Sequence, residues 1–351
     1  MTDDPVIGRL RRRGAGEAID ALERMPESDR RSLLLHLTRR RSAARTPAAL
    51  LHDRMRARTL QPARVDVPAL HDAESHAIAA ASGFELLALS PVAPGGINTV
   101  LAGIDQNRSL ATVRGTEVLA DPTTVLAIEA ALRRRGGEAA PSLGAVSRVL
   151  RMQRFQPPWH QHFALFSLVS AGRSEPAHGF AVRALGAHLT VYLDAIARMR
   201  ASGRAIGAVT VELTDTVWLG RACRAGGHDL RGLAERARAA DAEGEDVLAA
   251  AGIPVPRFTE DPGDAPLSAA IAEGLLGPLR ERHPDVSLGF RPGRLAAVGY
   301  YAGVMLNIDV ELAGQRLSVA DGGTVDWTQR LLSDRRERLL VSGIGLERLV
   351  R

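Results

Sequence analysis

Residues 149–172, Val-Leu-Arg-Met-Gln-Arg-Phe-Gln-Pro-Pro-Trp-His-Gln-His-Phe-Ala-Leu-Phe-Ser-Leu-Val-Ser-Ala-Gly, form the most informative segment of the chain. Pro157 and Pro158 interrupt helix and strand pairing because proline has no N–H to donate. The apolar run that follows from Phe163 is short enough for a buried strand. The segment predicts two strands joined by a polar loop, with Arg151 and Arg154 where the first strand ends. Such a hairpin can hold an arginine against a phosphate, or it can be a plain hairpin with solvated arginines.

The composition describes an ordinary globular chain. Its 351 residues suffice for one large or two ordinary domains, and 45% are hydrophobic and 24% charged. The formal net charge is +5, and all 45 basic residues are arginine. Complete replacement of lysine by arginine is typical of coding bias, so charge alone is a weak argument for nucleic-acid binding.

Cysteine content and hydropathy indicate the cellular compartment of the protein. Cys223 is the single cysteine, which excludes an internal disulfide and a cysteine-based zinc site. We find no apolar run of membrane-spanning length and no signal-peptide core at the N-terminus. These observations predict a cytoplasmic protein that makes no contact with a membrane.

The chain divides into two predicted parts. Residues 1–65 have apolar residues at helical spacing and form an N-terminal helical extension. Its arginine clusters at 11–13 and 39–41 favour either a polyanion contact such as tRNA or, as the simpler interpretation, solvated helix faces. Residues 66–351 form the core, with a helical insertion at about 220–290. Predicted core strands are 84–89, 109–113, 209–213, 295–308 and 317–320, and a helix is predicted within 118–132.

The C-terminal run Gly343-Ile344-Gly345-Leu346-Glu347-Arg348-Leu349 resembles the third signature motif of class II aminoacyl-tRNA synthetases. Glycines permit close approach of the backbone to a nucleotide, and an arginine at a helix start can reach it. Five further segments, in matching order, resemble the histidyl-tRNA synthetase branch of this family. They are the first-motif segment 83–91, the substrate loop Asp121-Pro122-Thr123, the second-motif segment 149–172, and the segments 298–303 and 322–326.

This resemblance implies an α+β fold with a six- or seven-stranded antiparallel sheet flanked by helices, and a homodimer built through the first motif. It implies ATP and Mg²⁺ as cofactors. Arg151 would contact the α-phosphate, Arg348 and Arg154 the distal phosphates, and Phe163 would stack on adenine. The remaining implied site residues are Gln153 toward the adenine amino group, Asp121 and Thr123 toward an ammonium or hydroxyl, and Tyr300 and Tyr301 in the substrate pocket.

The departures from the family pattern are as informative. Gln153 stands where the family has a glutamate, and Ala296 where it has an arginine. Arg294, two residues away, would share a strand face with that position and can substitute for it. The family's acidic positions are Gly299 and Asn307 here, and the sequence shows no anticodon-binding domain after Arg351. Ordinary histidyl-tRNA synthesis is therefore not expected.

Several of these residues have structural alternatives. Asp121-Pro122-Thr123 suits a helix N-cap as well as an ammonium site. His160 and His162 are spaced for one strand face but have no third ligand partner in the sequence, so no metal site is predicted.

Two functions follow. The first is ATP-dependent activation of an amino acid or related carboxylic acid as an acyl-adenylate, with transfer to a small amine, carrier protein or peptide; retained Arg151 and Arg348 favour it. The second is a non-catalytic binding subunit similar to the regulatory subunit of ATP phosphoribosyltransferase, favoured by Ala296. A tRNA- or RNA-binding role would depend on the arginine-rich N-terminus alone and is not preferred.

Overall fold

The computed structural model describes residues 4–261 and 263–350. Pro262, one of the prolines of the predicted insertion, and the terminal Arg351 lie outside these residues. The strands are β1 (Glu85–Leu86), β2 (Val92–Pro94), β3 (Thr116–Val118), β4 (Ser142–Leu150), β5 (His162–Arg173), β6 (Ile206–Asp215), β7 (Val286–Phe290), β8 (Val304–Leu312), β9 (Gln315–Val325) and β10 (Glu337–Gly345).

Fifteen α-helices lie in the described residues, five of them before β1 and five between β6 and β7. They are α1 (Pro5–Leu10), α2 (Gly16–Arg24), α3 (Glu27–Ala43), α4 (Pro47–Arg56), α5 (Val67–Ala80), α6 (Ile97–Ala102), α7 (Pro122–Arg135), α8 (Gly179–Ala201), α9 (Thr216–Ala225), α10 (Leu230–Ala240), α11 (Gly244–Ala250), α12 (Pro266–Ile271), α13 (Gly277–Arg282), α14 (Trp327–Leu332) and α15 (Leu346–Leu349).

Within the described residues, eight strands form the main sheet in the order β1-β4-β5-β10-β9-β8-β6-β7. The six central strands pair antiparallel, which confirms the predicted α+β fold class. The sheet is wider than predicted because the short edge strands β1 and β7 add to it in parallel. The predicted strand 84–89 is reduced to β1, and the predicted strand 109–113 lies instead at β3, in a small sheet with β2.

Each face of the sheet is covered by helices. Helices α5, α8 and α12 cover one face, where Phe166, Leu185 and Leu306 are fully buried. Helices α7 and α14 cover the other face with Leu126 and Trp327. Side chains alternate between faces along a strand, so each central strand contributes to both cores. Helices α9 to α11 pack around a third, smaller core.

Helix α8 is the one helix in the described part of the chain that is long and apolar enough to cross a membrane. It is a core helix here, because Leu185, Leu189 and Tyr192 are fully buried against the sheet. Its His188 lies in the same interface and hydrogen-bonds Ser170 at 3.1 Å and Ser342 at 2.7 Å. Tyr192 completes this buried polar network through a 2.7 Å hydrogen bond to Ser342.

Helices α1 to α4 form the N-terminal region and contain no buried residue in their described parts, as expected of solvated helices. The docking segment, residues 58–64, joins this region to the core. Arg58 donates hydrogen bonds to the carbonyl oxygens of Phe155 (3.1 Å) and Trp159 (3.4 Å). The docking segment therefore holds the β4–β5 loop, residues 151–161, from outside.

The segment before β8 differs from the sequence prediction. A strand was expected from residue 295, but β8 begins only at Val304. Positive φ angles at Ala297 (63°), Gly299 (89°) and Gly303 (100°) fold residues 295–303 into a loop. Such angles are incompatible with strand pairing. The expectation that Arg294 shares a strand face with position 296 is therefore wrong.

Candidate functional site

A cavity of about 210 Å³ lies where the β4–β5 loop, the 295–303 loop, β9 and the start of α15 meet. We call it the inner chamber. It adjoins a wider vestibule of about 700 Å³. Six residues line both spaces, which are therefore continuous: Asp121, Arg151, Gln153, Tyr300, Tyr301 and Asp321.

Arg151, just after β4, is held on three sides. Its Nε donates a 2.9 Å hydrogen bond to the carbonyl oxygen of Ala120, and its Nη2 lies 3.6 Å from Asp121 Oδ2. The guanidinium carbon lies 5.4 Å from the centroid of the Phe163 ring, within cation–π range. The charge of Arg151 is thus fixed at the junction of chamber and vestibule.

Asp121 is the N-cap of α7. Its Oδ1 accepts hydrogen bonds from the Thr123 backbone N–H (3.0 Å) and the Thr123 hydroxyl (2.7 Å). Its Oδ2 accepts one from the Tyr300 hydroxyl at 3.3 Å. The N-cap interpretation of Asp121-Pro122-Thr123 is therefore present in the structure, and Thr123, which lines the inner chamber, directs its hydroxyl to the cap.

Tyr300 and Tyr301 form one wall of the chamber. Their rings meet edge to face at 4.7 Å, and Tyr300 also contacts the ring of Trp327 at 5.7 Å. Burial raises the pKa of both phenols well above the usual value, and the Asp321 carboxylate adds to the increase. Both hydroxyls therefore stay protonated and neutral at physiological pH.

Asp321 is the chamber residue that sequence reasoning missed. It lies on β9, paired with Asn307 of β8 and Gly343 of β10. Its side chain is exposed and lines both the inner chamber and the vestibule. Desolvation by the surrounding protein raises the pKa of Asp321, although the positive charges of Arg294, Arg151 and Arg348 oppose the increase.

The neighbours of Asp321 contain a signal that could have revealed it. Gly322 and Gly323 follow it directly, and a side chain at either would collide with the sheet. A Cβ at Gly322 would lie 2.4 Å from Ser342 Cβ, and one at Gly323 would lie 2.5 Å from the carbonyl oxygen of Val304. The Gly-Gly pair therefore marks a tightly packed part of β9, and an acidic residue directly before such a pair is the sequence signal for Asp321.

Arg348, at the start of α15, also lines the inner chamber. Its guanidinium carbon lies 5.1 Å from the centroid of the Trp159 ring, and its Nη1 donates a hydrogen bond to the carbonyl oxygen of Ser318. Burial lowers the pKa of Arg348, and nearby Asp321 opposes that change. The preceding Glu347 accepts a 3.3 Å hydrogen bond from the Ala164 N–H and pairs with Arg148 at 3.1 Å.

The remaining candidates lie at different depths. Gln153 lines both chamber and vestibule. Arg154 is exposed and does not line either of them. Arg294 is buried behind the chamber, where its Nη1 donates a 3.0 Å hydrogen bond to the carbonyl oxygen of Leu306. It influences the site through its charge and not by direct contact with the cavity.

The two loop histidines are engaged by the docking segment. Nε2 of His160 accepts a 3.2 Å hydrogen bond from the Arg64 backbone N–H. Nε2 of His162 donates a 2.6 Å hydrogen bond to the carbonyl oxygen of Gln61. Across residues 4–261 and 263–350, no group of three or more histidine, cysteine, aspartate or glutamate side chains is arranged to hold a metal ion.

Comparison with solved structures identifies the fold. An ATP phosphoribosyltransferase regulatory subunit/histidyl-tRNA synthetase from Bacillus halodurans superimposes with a TM-score of 0.57 at 14% identity, over 83% of this chain and 82% of that one. A histidine–tRNA ligase subunit from Alicyclobacillus acidocaldarius gives 0.56 at 14% identity, over 84% and 96% of the two chains. The chain has a class II, histidyl-tRNA synthetase-like fold. Histidyl-tRNA synthetase from Nostoc sp. PCC 7120 gives 0.55 at 13% identity, over 84% of this chain and 73% of that one.

No family model matches the sequence, and neither does any curated protein. Identities of 13–14% establish the fold and leave the activity open. Within this synthetase-like fold, β4, its loop and β5 form the segment that resembles the second motif, and β10 with α15 forms the one that resembles the third. Both end at the inner chamber.

Proposed function

We propose that this chain is a non-catalytic, synthetase-like subunit that binds a free amino acid in the inner chamber. The observation that carries this proposal is that two groups expected to hold ATP, the Phe163 ring for adenine and the Arg348 guanidinium for the distal phosphates, already have protein partners. Arg151 lies over the Phe163 ring, and Arg348 stacks on Trp159. ATP would have to displace these contacts to use both groups as the resemblance implies.

The size and charge of the inner chamber support an amino acid as the ligand. A cavity of about 210 Å³ suits a molecule smaller than the drug-sized ligands held by typical pockets of about 300–1,000 Å³. Its walls offer carboxylates and guanidinium groups together, which complement the two opposite charges of a zwitterion. Neutral phenol groups of Tyr300 and Tyr301 supply an apolar wall with polar tips.

We further propose that the bound amino acid regulates a catalytic partner subunit. One solved structure with this fold is described as an ATP phosphoribosyltransferase regulatory subunit/histidyl-tRNA synthetase, which supports a partner of the phosphoribosyltransferase class. Substitution of the family's glutamate and arginine by Gln153 and Ala296 agrees with loss of catalysis. We expect the complex in the cytoplasm.

Calorimetric titration with the standard amino acids tests the binding proposal. The purified chain should bind at least one of them without ATP. Arg151→Ala should abolish that binding, because the fixed charge that faces the chamber is lost. Arg154→Ala is the matched control: it removes an arginine three residues away that is exposed outside the cavity, and binding should persist. Equal effects of the two substitutions would refute the assignment of Arg151.

Adenylate formation is the second candidate function. Arg151 lines both chamber and vestibule, so one guanidinium borders a space for an acid and a larger space for a second ligand. This candidate requires ATP and Mg²⁺, and its acceptor would be a carrier protein, a peptide or a small amine. ATP–pyrophosphate exchange across the amino acids decides between the candidates. Exchange with any of them would overturn the non-catalytic proposal.

We also propose a homodimer formed through the segment that resembles the first motif. Large apolar side chains are exposed in and near it, including Leu86 (36%), Val92 (39%) and Val100 (68%). Light scattering after size-exclusion chromatography should give twice the mass of the chain. Val100→Glu should return the monomer mass, whereas Leu51→Glu, at an equally exposed apolar site on α4, should leave the dimer intact.

A further inference from the structure

The carboxylate expected to hold the ligand's ammonium group, that of Asp121, is already occupied. A carboxylate offers about four acceptor positions, two on each oxygen. Thr123 fills two on Oδ1 with its N–H and hydroxyl. The Tyr300 hydroxyl and the Arg151 guanidinium face Oδ2. Three of its four acceptor positions are therefore filled by hydrogen bonds, and the Arg151 guanidinium lies 3.6 Å from the oxygen that carries the fourth. Asp121 serves the start of α7 and the position of Arg151.

A second carboxylate, that of Asp321, opens on the same cavity. It lines both the inner chamber and the vestibule. Within the described part of the chain, this carboxylate accepts no hydrogen bond and makes no ion pair within 4.0 Å. Arg294, Arg151 and Arg348 act on it only at longer range. The Asp321 side chain is exposed to this cavity, so its carboxylate oxygens can accept hydrogen bonds from a ligand N–H group.

We propose that Asp321, and not Asp121, binds the α-ammonium group of the amino acid. This inference depends on the proposed amino-acid binding and assigns the orientation of the amino acid in the chamber. The ammonium group lies at the β9 floor beside Asp321. The ligand carboxylate pairs with the guanidinium of Arg151, whose Nε is bonded to the Ala120 carbonyl and whose Nη2 faces Asp121. The side chain of the ligand then extends along the tyrosine wall.

The alternative is that Asp321 is a structural counter-ion for the surrounding arginines. Each of them already has a backbone acceptor: Arg294 bonds to Leu306, Arg151 to Ala120 and Arg348 to Ser318. A structural counter-ion predicts that Asp321→Asn unfolds more readily than the wild type. A ligand-binding carboxylate predicts a midpoint of urea unfolding that is unchanged or higher, since the substitution removes no hydrogen bond or ion pair of the described structure.

The decisive experiment is calorimetric titration of the full chain with the amino acid that binds tightest and with its des-amino analogue. Asp321→Asn should weaken the amino acid roughly 10- to 100-fold, the value of a charge-assisted hydrogen bond, and leave the analogue unchanged. Asp121→Asn, which keeps an N-cap side chain, should weaken the amino acid less than Asp321→Asn does. Asp326→Asn, an exposed change outside both cavities, is the control for charge removal.

Each other outcome has a defined meaning. Equal weakening of the amino acid and the des-amino analogue by Asp321→Asn would overturn the ammonium assignment while leaving amino-acid binding intact. A larger effect of Asp121→Asn than of Asp321→Asn would overturn the proposal and show that Asp121, the N-cap of α7, binds the ammonium group. If the folded wild type binds none of the amino acids, the proposed function fails, and this inference fails with it.

Discussion

The guanidinium of Arg348 stacks on the indole of Trp159, with 5.1 Å between the guanidinium carbon and the ring centroid. This contact joins the start of α15 to the β4–β5 loop, so two segments about 190 residues apart close one side of the chamber. It also places an aromatic reporter next to the site. Of the three tryptophans in the sequence, Trp159 is the one that lines the chamber.

Ligand binding should therefore change the fluorescence of Trp159. A charged ligand beside Arg348 alters the electric field on the stacked indole, so emission should shift on titration with the bound amino acid. Trp159→Phe should remove most of this change. Trp218→Phe should retain it, because Trp218 packs in the small core of α9 to α11. A full response in Trp159→Phe would show that the ligand binds elsewhere.

Ser342→Ala should destabilise the fold. The Ser342 hydroxyl bonds both His188 and Tyr192, and its removal leaves two buried polar groups unsatisfied, at about 1–3 kcal/mol each. Ser167→Ala is the matched control on the neighbouring strand, because the buried Ser167 hydroxyl has no hydrogen-bond partner in the described structure. Urea unfolding should show a large loss for the first variant and little or none for the second.

Acidification should weaken the fold through His188. Burial lowers the pKa of His188 from 6.5 to about 3. The unfolded chain therefore binds more protons than the folded chain between these values. The contribution is complete above pH 6.5 and declines as the pH falls toward 3. From about pH 7.5 to about pH 5, His188 should account for a loss of about 2 kcal/mol.

His188→Gln tests this assignment, since the amide keeps a donor and an acceptor but does not titrate. The variant should be less stable than the wild type at neutral pH, yet its stability should depend less on pH across the same range. Buried His283, whose pKa is also lowered by burial, adds a smaller pH dependence of the same sign. An unchanged pH profile in His188→Gln would mean that other groups control the acid response.

Arg58→Ala should loosen the β4–β5 loop. Arg58 bonds the carbonyl oxygens of Phe155 and Trp159, and each hydrogen bond of this kind contributes about 1 kcal/mol. Amide hydrogen exchange across residues 155–161 should become faster, and the affinity for the amino acid should fall. Arg54→Ala, at an exposed position on α4, is the control with the same charge change. Equal exchange in the two variants would refute a role for the docking segment.

Local patterns were sufficient to predict strands β4, β5 and β10. Pro157 and Pro158 mark the loop between β4 and β5, and the final apolar run with its glycines marks β10 and the start of α15. These features depend on the chemistry of the residues themselves, such as the missing N–H of proline, and not on tertiary contacts. The ordered motif segments then predicted a synthetase-like fold, which the structure has.

The local patterns failed where backbone geometry is set by tertiary contacts. Nothing in the sequence before Val304 separates a strand from the loop that the positive φ angles of Ala297 and Gly299 create. Asp121 was predicted both as a cap and as an ammonium ligand, and spacing alone cannot show that the cap uses its acceptors. Asp321 was missed because its importance depends on which neighbouring groups lack partners, and that is a property of the folded chamber.

The docking segment crosses the boundary that the sequence predicted between residues 65 and 66. Its contacts reach about 100 residues along the chain, from Arg58, Gln61 and Arg64 to the β4–β5 loop and the start of β5. A gene fragment that begins at residue 66 would encode the whole sheet yet omit the residues that hydrogen-bond to that loop. For recombination or grafting, the smallest transferable unit therefore starts before Arg58.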